Sequence, residues 1–278
     1  GQKPGLDKRD WLAVLVSVAP IAGLIGWPIA QVIVKAFTFN GVLSTQNFEN
    51  LATRGERDLL NLTVAQAAGN SLRNALIAAA ISMTIGTLVA YLLSRPKGTK
   101  MAHLSNRALD TLFLLPMGVS SVVLGFGYLI SFGGGPLPLR SSWLIVPLVQ
   151  ALMATPLVIR LIYPALISIG SEQREAAATD GASAAQTWWL IETPMIRGVI
   201  ATAAGFALVV SIGEFGAASL LAYGDQATLP TILYALISRP GPVNYGMAMA
   251  VCALLILLTL ILVLAVSFRG SNRTQRQP

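Results

Sequence analysis

Few residues in this chain could carry chemistry. His103 is the only histidine, which argues against a histidine-based metal centre. Cys252 is the single cysteine, so no intrachain disulfide can form. A serine hydrolase needs a nucleophile and a base within reach of each other. Ser120 and Ser121 sit in an apolar stretch, whereas His103 falls in a charged connection. The pattern G-x4-G-K-[ST] is absent, and no Gly-Lys pair occurs, so the usual phosphate-cradling loop is missing. One carboxylate stands out. Glu214 lies between Gly213 and Phe215, midway along the apolar run "ALVVSIGEFGAASLLA" from Ala207 to Ala222. A charge at membrane depth costs roughly 2.5–3.5 kcal/mol on insertion scales, so Glu214 should face the interior of a bundle or water. There it could join Ser211 on a translocation path and attract a cationic solute. It could instead serve as the coupling-ion site of a secondary transporter, or hydrogen-bond a neighbouring helix through Ser211 or Gln150.

The elements that position these groups are membrane helices. The chain has 278 residues, of which 54% are hydrophobic and only 11% charged, with a mean hydropathy of +0.68. Soluble domains carry about 25% charged residues. Six apolar stretches reach the length of about 20 residues that a helix needs to cross a bilayer. They lie near 12–34, 72–94, 109–132, 143–168, 198–222 and 245–267, within one transmembrane domain spanning 1–278. Asn106 and Asp110 suit a cap for the third span, and Arg160 can snorkel from the fourth to the interface. Lysine and arginine assign the sides. One side holds Lys3, Lys8, Arg9, Arg95, Lys97, Lys100, Arg107, Arg174, Arg197, Arg269, Arg273 and Arg276; the other holds Lys35, Arg54, Arg57, Arg140 and Arg239. The richer side reads as cytoplasmic and includes both termini and the 169–197 loop. The net charge of +7 thus reflects membrane topology and not nucleic-acid binding. The connection "LISFGGGPLPLRSS", with Gly133, Gly134, Gly135, Pro136 and Pro138, reads as an interhelical loop, or as a gate or receptor contact.

The 169–197 loop is unlike its surroundings. Its sequence "EAAATDGASAAQTWWLIETP", Glu175 to Pro194, is polar and alanine-rich. Ser171 can N-cap a short helix, with Glu172 and Glu175 in the first turn opposite the positive end of the dipole. Ala176 to Ala178 favour helix, and Gly181 supplies a left-handed stop. Ser183 then opens a second helix, with Gln186 completing a capping box. Pro194 stops that helix or begins the next span. Ala184, Trp188 and Ile191 form an apolar stripe at helical spacing, with Trp189 beside it. The tryptophans could be interfacial anchors. The residues alone leave a docking element and an inert amphipathic loop equally open.

The spacing Glu175-Ala176-Ala177, three residues, Gly181, nine residues, Ile191, one residue, Thr193-Pro194 resembles the EAA loop of binding-protein-dependent ABC importer permeases. That pattern is E-A-A-x3-G-x9-I-x-L-P, and Thr193 in place of leucine is the one departure. The last spans, with "TLPTILYALISRPG" at Thr228–Gly241, look like those of ferric iron and thiamine permeases, often made as fused chains. The resemblance implies an all-α type I importer permease in the bacterial inner membrane. In that family the loop is a coupling helix seated in a groove of a separate ATPase. Glu175, Ala176, Ala177, Asp180 and Gly181 would make the main contact, with Trp188, Ile191 and Pro194 supporting it. The chain itself would hold no cofactor and no enzymatic site, since ATP and Mg2+ bind the ATPase dimer. A second permease half, identical, homologous or fused, and an extracytoplasmic binding protein complete the machine. ATP binding would close the ATPases, press two coupling helices together and switch the pore outward. Ferric iron or thiamine is the expected solute, with phosphonate, sulfate or polyamine as alternatives.

Overall fold

The computed structural model describes residues 8–95, 118–132, 142–222 and 224–274, with side chains over 14, 16–95, 118–132, 142–222 and 224–265. Expectations for His103, Asn106, Asp110 and the 133–141 connection therefore lie outside the described residues. Five described helices are long and apolar enough to cross a membrane: Val16–Ala36, Val64–Leu93, Ile145–Ile167, Ala184–Gly213 and Pro242–Ala265. The third expected span is described from residue 118 onward, where a shorter apolar helix, Ser121–Phe132, is present.

The chain divides into two compact units. One comprises Gly1–Val64 with Leu233–Leu254, the other Ala65–Ile232 with Leu255–Pro278. In the first, helix α1 (Lys8–Ala36) runs into a small hairpin, β1 (Thr38–Phe39) paired antiparallel with β2 (Val42–Leu43). Hydropathy at this point gives no hint of strands. The turn residues Asn40 and Gly41 both take positive φ, +50° and +82°, as a two-residue hairpin turn requires. Buried Asn47 donates from Nδ2 to the Ala36 carbonyl, which the end of the helix leaves unpaired, and to the Thr38 carbonyl in β1, each at 3.0 Å. The Glu56 carboxylate accepts from the Val243 amide at 3.1 Å, and Asn244 Oδ1 accepts from the Glu56 amide at 2.9 Å.

In the second unit, α2 (Val64–Leu93) begins eight residues before the expected 72. Its first turns mix Val64 and alanines with Gln66, Asn70 and Ser71, which lowers their hydropathy below that of the rest of the helix. They are held by side chains instead: Asn70 donates to the carbonyls of Asp225 and Ala227, and Ser71 Oγ accepts from the Leu229 amide at 2.8 Å. Helices α3 (Ser121–Phe132) and α4 (Ile145–Ile167) follow. The membrane helix α5 (Thr193–Gly213) packs on α4 through Ala154, Val158, Ile162 and Leu166 against Ile196, Ala203 and Ala207. Small residues allow this close approach, and packing must supply the attraction because lipid tails are as apolar as the helix faces. The expected single span 198–222 is two helices. It breaks at Glu214 and resumes as the short helix α6 (Gly216–Leu221).

Candidate functional site

Two short helices are expected in the 169–197 loop, and the first spans Ser171–Thr179. Gly170, not Ser171, is its N-cap, at φ −59° and ψ 154°. A Cβ at Gly170 would come within 2.7 Å of Gln173 Oε1, which glycine avoids, and Ser171 sits one place further on in the first turn. Glu172 shares that turn, and Glu175 lies beyond it, away from the strongest part of the dipole. Gly181 takes φ +80°. Its amide bonds to the Ala178 carbonyl at 3.1 Å and the Ala182 amide to Ala177 at 2.9 Å, the paired bonds of a Schellman stop. Burial divides the helix cleanly: Ala177 is buried and Arg174 half-buried, whereas Glu175, Ala176, Asp180 and Gly181 are exposed.

The Ser183–Gln186 capping box forms as expected. The Ser183 amide donates to Gln186 Oε1 at 2.8 Å, and Ser183 Oγ accepts from the Gln186 amide at 3.3 Å. The helix it opens does not stop. Ala184–Thr187 passes through a π-turn, Trp188–Glu192, directly into α5, where Pro194 occupies the first turn. Proline cannot donate to the Leu190 carbonyl and its ring crowds it, and a wider turn relieves both problems. The widening also shifts the buried face. Trp188 and Ile191 are half-buried, Ala184 and Trp189 exposed, and the residues that turn inward are Thr187 and Glu192, five apart. At Thr193, where the motif has leucine, the buried hydroxyl has no hydrogen-bond partner among the described residues.

Glu192 is the group that sequence reasoning missed. Its side chain is 0% exposed. Oε1 accepts from Arg174 Nε at 2.7 Å and Oε2 from Arg95 Nη2 at 2.8 Å. Arg174 Nη2 also donates to the Leu166 carbonyl at 2.8 Å, in the last turn of α4. The Arg95 guanidinium lies over the Tyr91 ring at 4.2 Å, and that ring meets Trp188 edge-on at 5.0 Å. Nothing in the local pattern marks Glu192, because its partners are 97 and 18 residues away.

At the other end of α5, Glu214 is 8% exposed. Its carboxylate accepts from the amides of Ala217 at 2.9 Å and Ala218 at 3.2 Å, the first turn of α6. The expected partners differ: Ser211 Oγ and Gln150 Oε1 are both buried without a hydrogen bond among the described residues. Arg160 is exposed on α4.

A family model for the binding-protein-dependent transport system inner membrane component matches residues 83–277. The sulfate transport system permease protein CysW of Escherichia coli is 28% identical over 279 residues, covering 96% of this chain and 90% of that protein. The molybdenum transport system permease protein ModB of the same species is 29% identical over 185 residues, covering 62% and 79%. Among solved structures, a chain of a bacterial alginate ABC transporter, crystallised with an alginate pentasaccharide-bound periplasmic protein, superposes with a TM-score of 0.72. It is 19% identical and covers 95% of this chain and 96% of that one. That likeness shows the mostly helical type I importer permease fold.

Proposed function

This chain belongs to the binding-protein-dependent transport system inner membrane components, and on that premise we propose that it is one half of an ATP-driven import pore whose 169–197 loop docks on a separate ATPase. As a member of that family it is a membrane-embedded permease of an ABC importer. The observation that carries the docking reading is the two-faced helix Ser171–Thr179. Its exposed face presents Glu175, Ala176 and Asp180 beside the Gly181 turn, the region in which the EAA motif matches. Exposed alanines with two acids and a glycine turn make a shallow knob, suited to a groove on a soluble protein.

Both units then form one permease domain, the termini and loop face the cytoplasm, and a second half and an extracytoplasmic binding protein complete the assembly. ATP and Mg2+ are held by the ATPase dimer. The relatives favour an oxyanion, sulfate first, over ferric iron or thiamine as the solute, since sulfate and molybdenum are what their names record. Glu214 and Ser211 enter this reading in an altered form. Backbone amides take up the Glu214 charge, so it shapes the wall of the path at a helix break and does not bind a cation there.

Glu175→Ala and Gly181→Val in the assembled transporter are expected to weaken co-purification of the ATPase or uncouple ATP hydrolysis from uptake. Wild-type co-purification and uptake in both variants would sink the docking reading. Transport by the chain alone on an ion gradient would replace it with secondary transport through Glu214.

A further inference from the structure

Docking uses only the outer face of the helix Ser171–Thr179, whereas its inner face carries Arg174. That one side chain touches two other parts of the bundle, Glu192 at the foot of α5 and the Leu166 carbonyl at the end of α4. Through Glu192 it is joined to Arg95, just past the end of α2. Without this joint, a nine-residue helix flanked by Gly170 and Gly181 could swivel under load without moving the membrane helices. The joint is also short of slack. Its carboxylate is fully buried and both oxygens are engaged, so neither guanidinium can leave it without stranding part of a buried charge.

We propose that Glu192 is a positioning residue that carries movement of the coupling helix into α2, α4 and α5 together, a role that rests on the docking of that helix on an ATPase. The charges fit this role. Two guanidinium groups converge on one carboxylate from separate elements, so displacing Arg174 alone strips Glu192 of one partner and leaves Arg95 pulling on α5. Tyr91 and Trp188 pack beside the joint and keep Arg95 in place.

The test uses the complete transporter with its ATPase, in a Cys252→Ser background carrying Leu72→Cys. Leu72 is exposed near the start of α2, at the opposite end of that helix from Arg95. Maleimide labelling of the new cysteine is timed with and without MgATP plus orthovanadate, which traps MgADP on the ATPase, alongside ATPase co-purification and the thermal unfolding midpoint. Glu192→Gln keeps the size of the side chain and removes its charge. It is expected to shrink the ATP-dependent change in labelling rate by roughly tenfold while the ATPase still co-purifies, with Glu192→Asp recovering part of the response. Arg174→Lys, which keeps the charge but not the fork to Leu166, should fall between Asp and Gln. An unaltered response in Glu192→Gln would overturn the proposal, and so would a wild-type chain that holds its ATPase yet shows no ATP-dependent labelling change. A loss of response matched by equal losses of co-purification and midpoint would also overturn it, leaving Glu192 merely structural. Failure of the wild-type chain to co-purify with the ATPase would instead remove the docking reading beneath it.

Discussion

The membrane helix Thr193–Gly213 has a buried carboxylate at each end, and the two are held in opposite ways. At the foot, Glu192 reaches arginines on distant parts of the chain. At the break, Glu214 binds the amides of residues three and four positions ahead. The first arrangement links elements that would otherwise move separately. The second satisfies a local turn and re-aims the chain, as an N-terminal cap does for any helix. Burial of an acid therefore says little about its role; the sequence distance to its partners says more.

Removing each carboxylate should separate the two cases most sharply. Glu192→Ala leaves two guanidinium groups without a counter-charge, and breaking such a buried pair costs about 3–5 kcal/mol. Arg95 and Arg174 keep 26% and 18% of their side-chain surface exposed, which favours the lower end. Glu214→Ala leaves two buried amides unpaired and should cost about 1–3 kcal/mol. Denaturant unfolding in detergent measures both, and equal losses would erase the distinction between joint and cap.

Gly181→Ala probes a purely local stop. Nothing lies within 4 Å of a side chain added there, so only the left-handed backbone at φ +80° is penalised, by about 1–2 kcal/mol. A larger loss would mean that the loop end is tied into the bundle as Glu192 is. Ser183→Ala should have the smallest effect, about 0.5–1 kcal/mol. It removes one exposed cap bond, and the same unfolding assay should show it at the lower edge of the series.

Much of the loop was legible beforehand because its signals are local. Gly181 stops a helix for want of a Cβ, and Ser183 and Gln186 form their box within one turn. The apolar runs at 12–34 and 143–168 were readable for a similar reason, since hydropathy averages over neighbours. The start of α2 was less so. Gln66, Asn70 and Ser71 dilute the apolar character of residues 64–71, and Asn70 and Ser71 tie this first part of the helix to residues 227 and 229. Thr187 and Glu192 were hidden by the π-turn, which changes the helical period that the stripe Ala184, Trp188 and Ile191 assumed.

Sequence alone located the apolar helices that five of the six expected spans become, gave the cytoplasmic side of the loop as an expectation, and set the motif spacing at Glu175, Gly181 and Ile191. Each depends on residues within a turn or a span of one another. Only the tertiary structure decided that the fifth span breaks at Glu214 and that Arg95, Arg174 and Glu192 converge. The cause is desolvation: a carboxylate that is 0% exposed must find its counter-charges wherever the fold brings them, however far along the chain they lie.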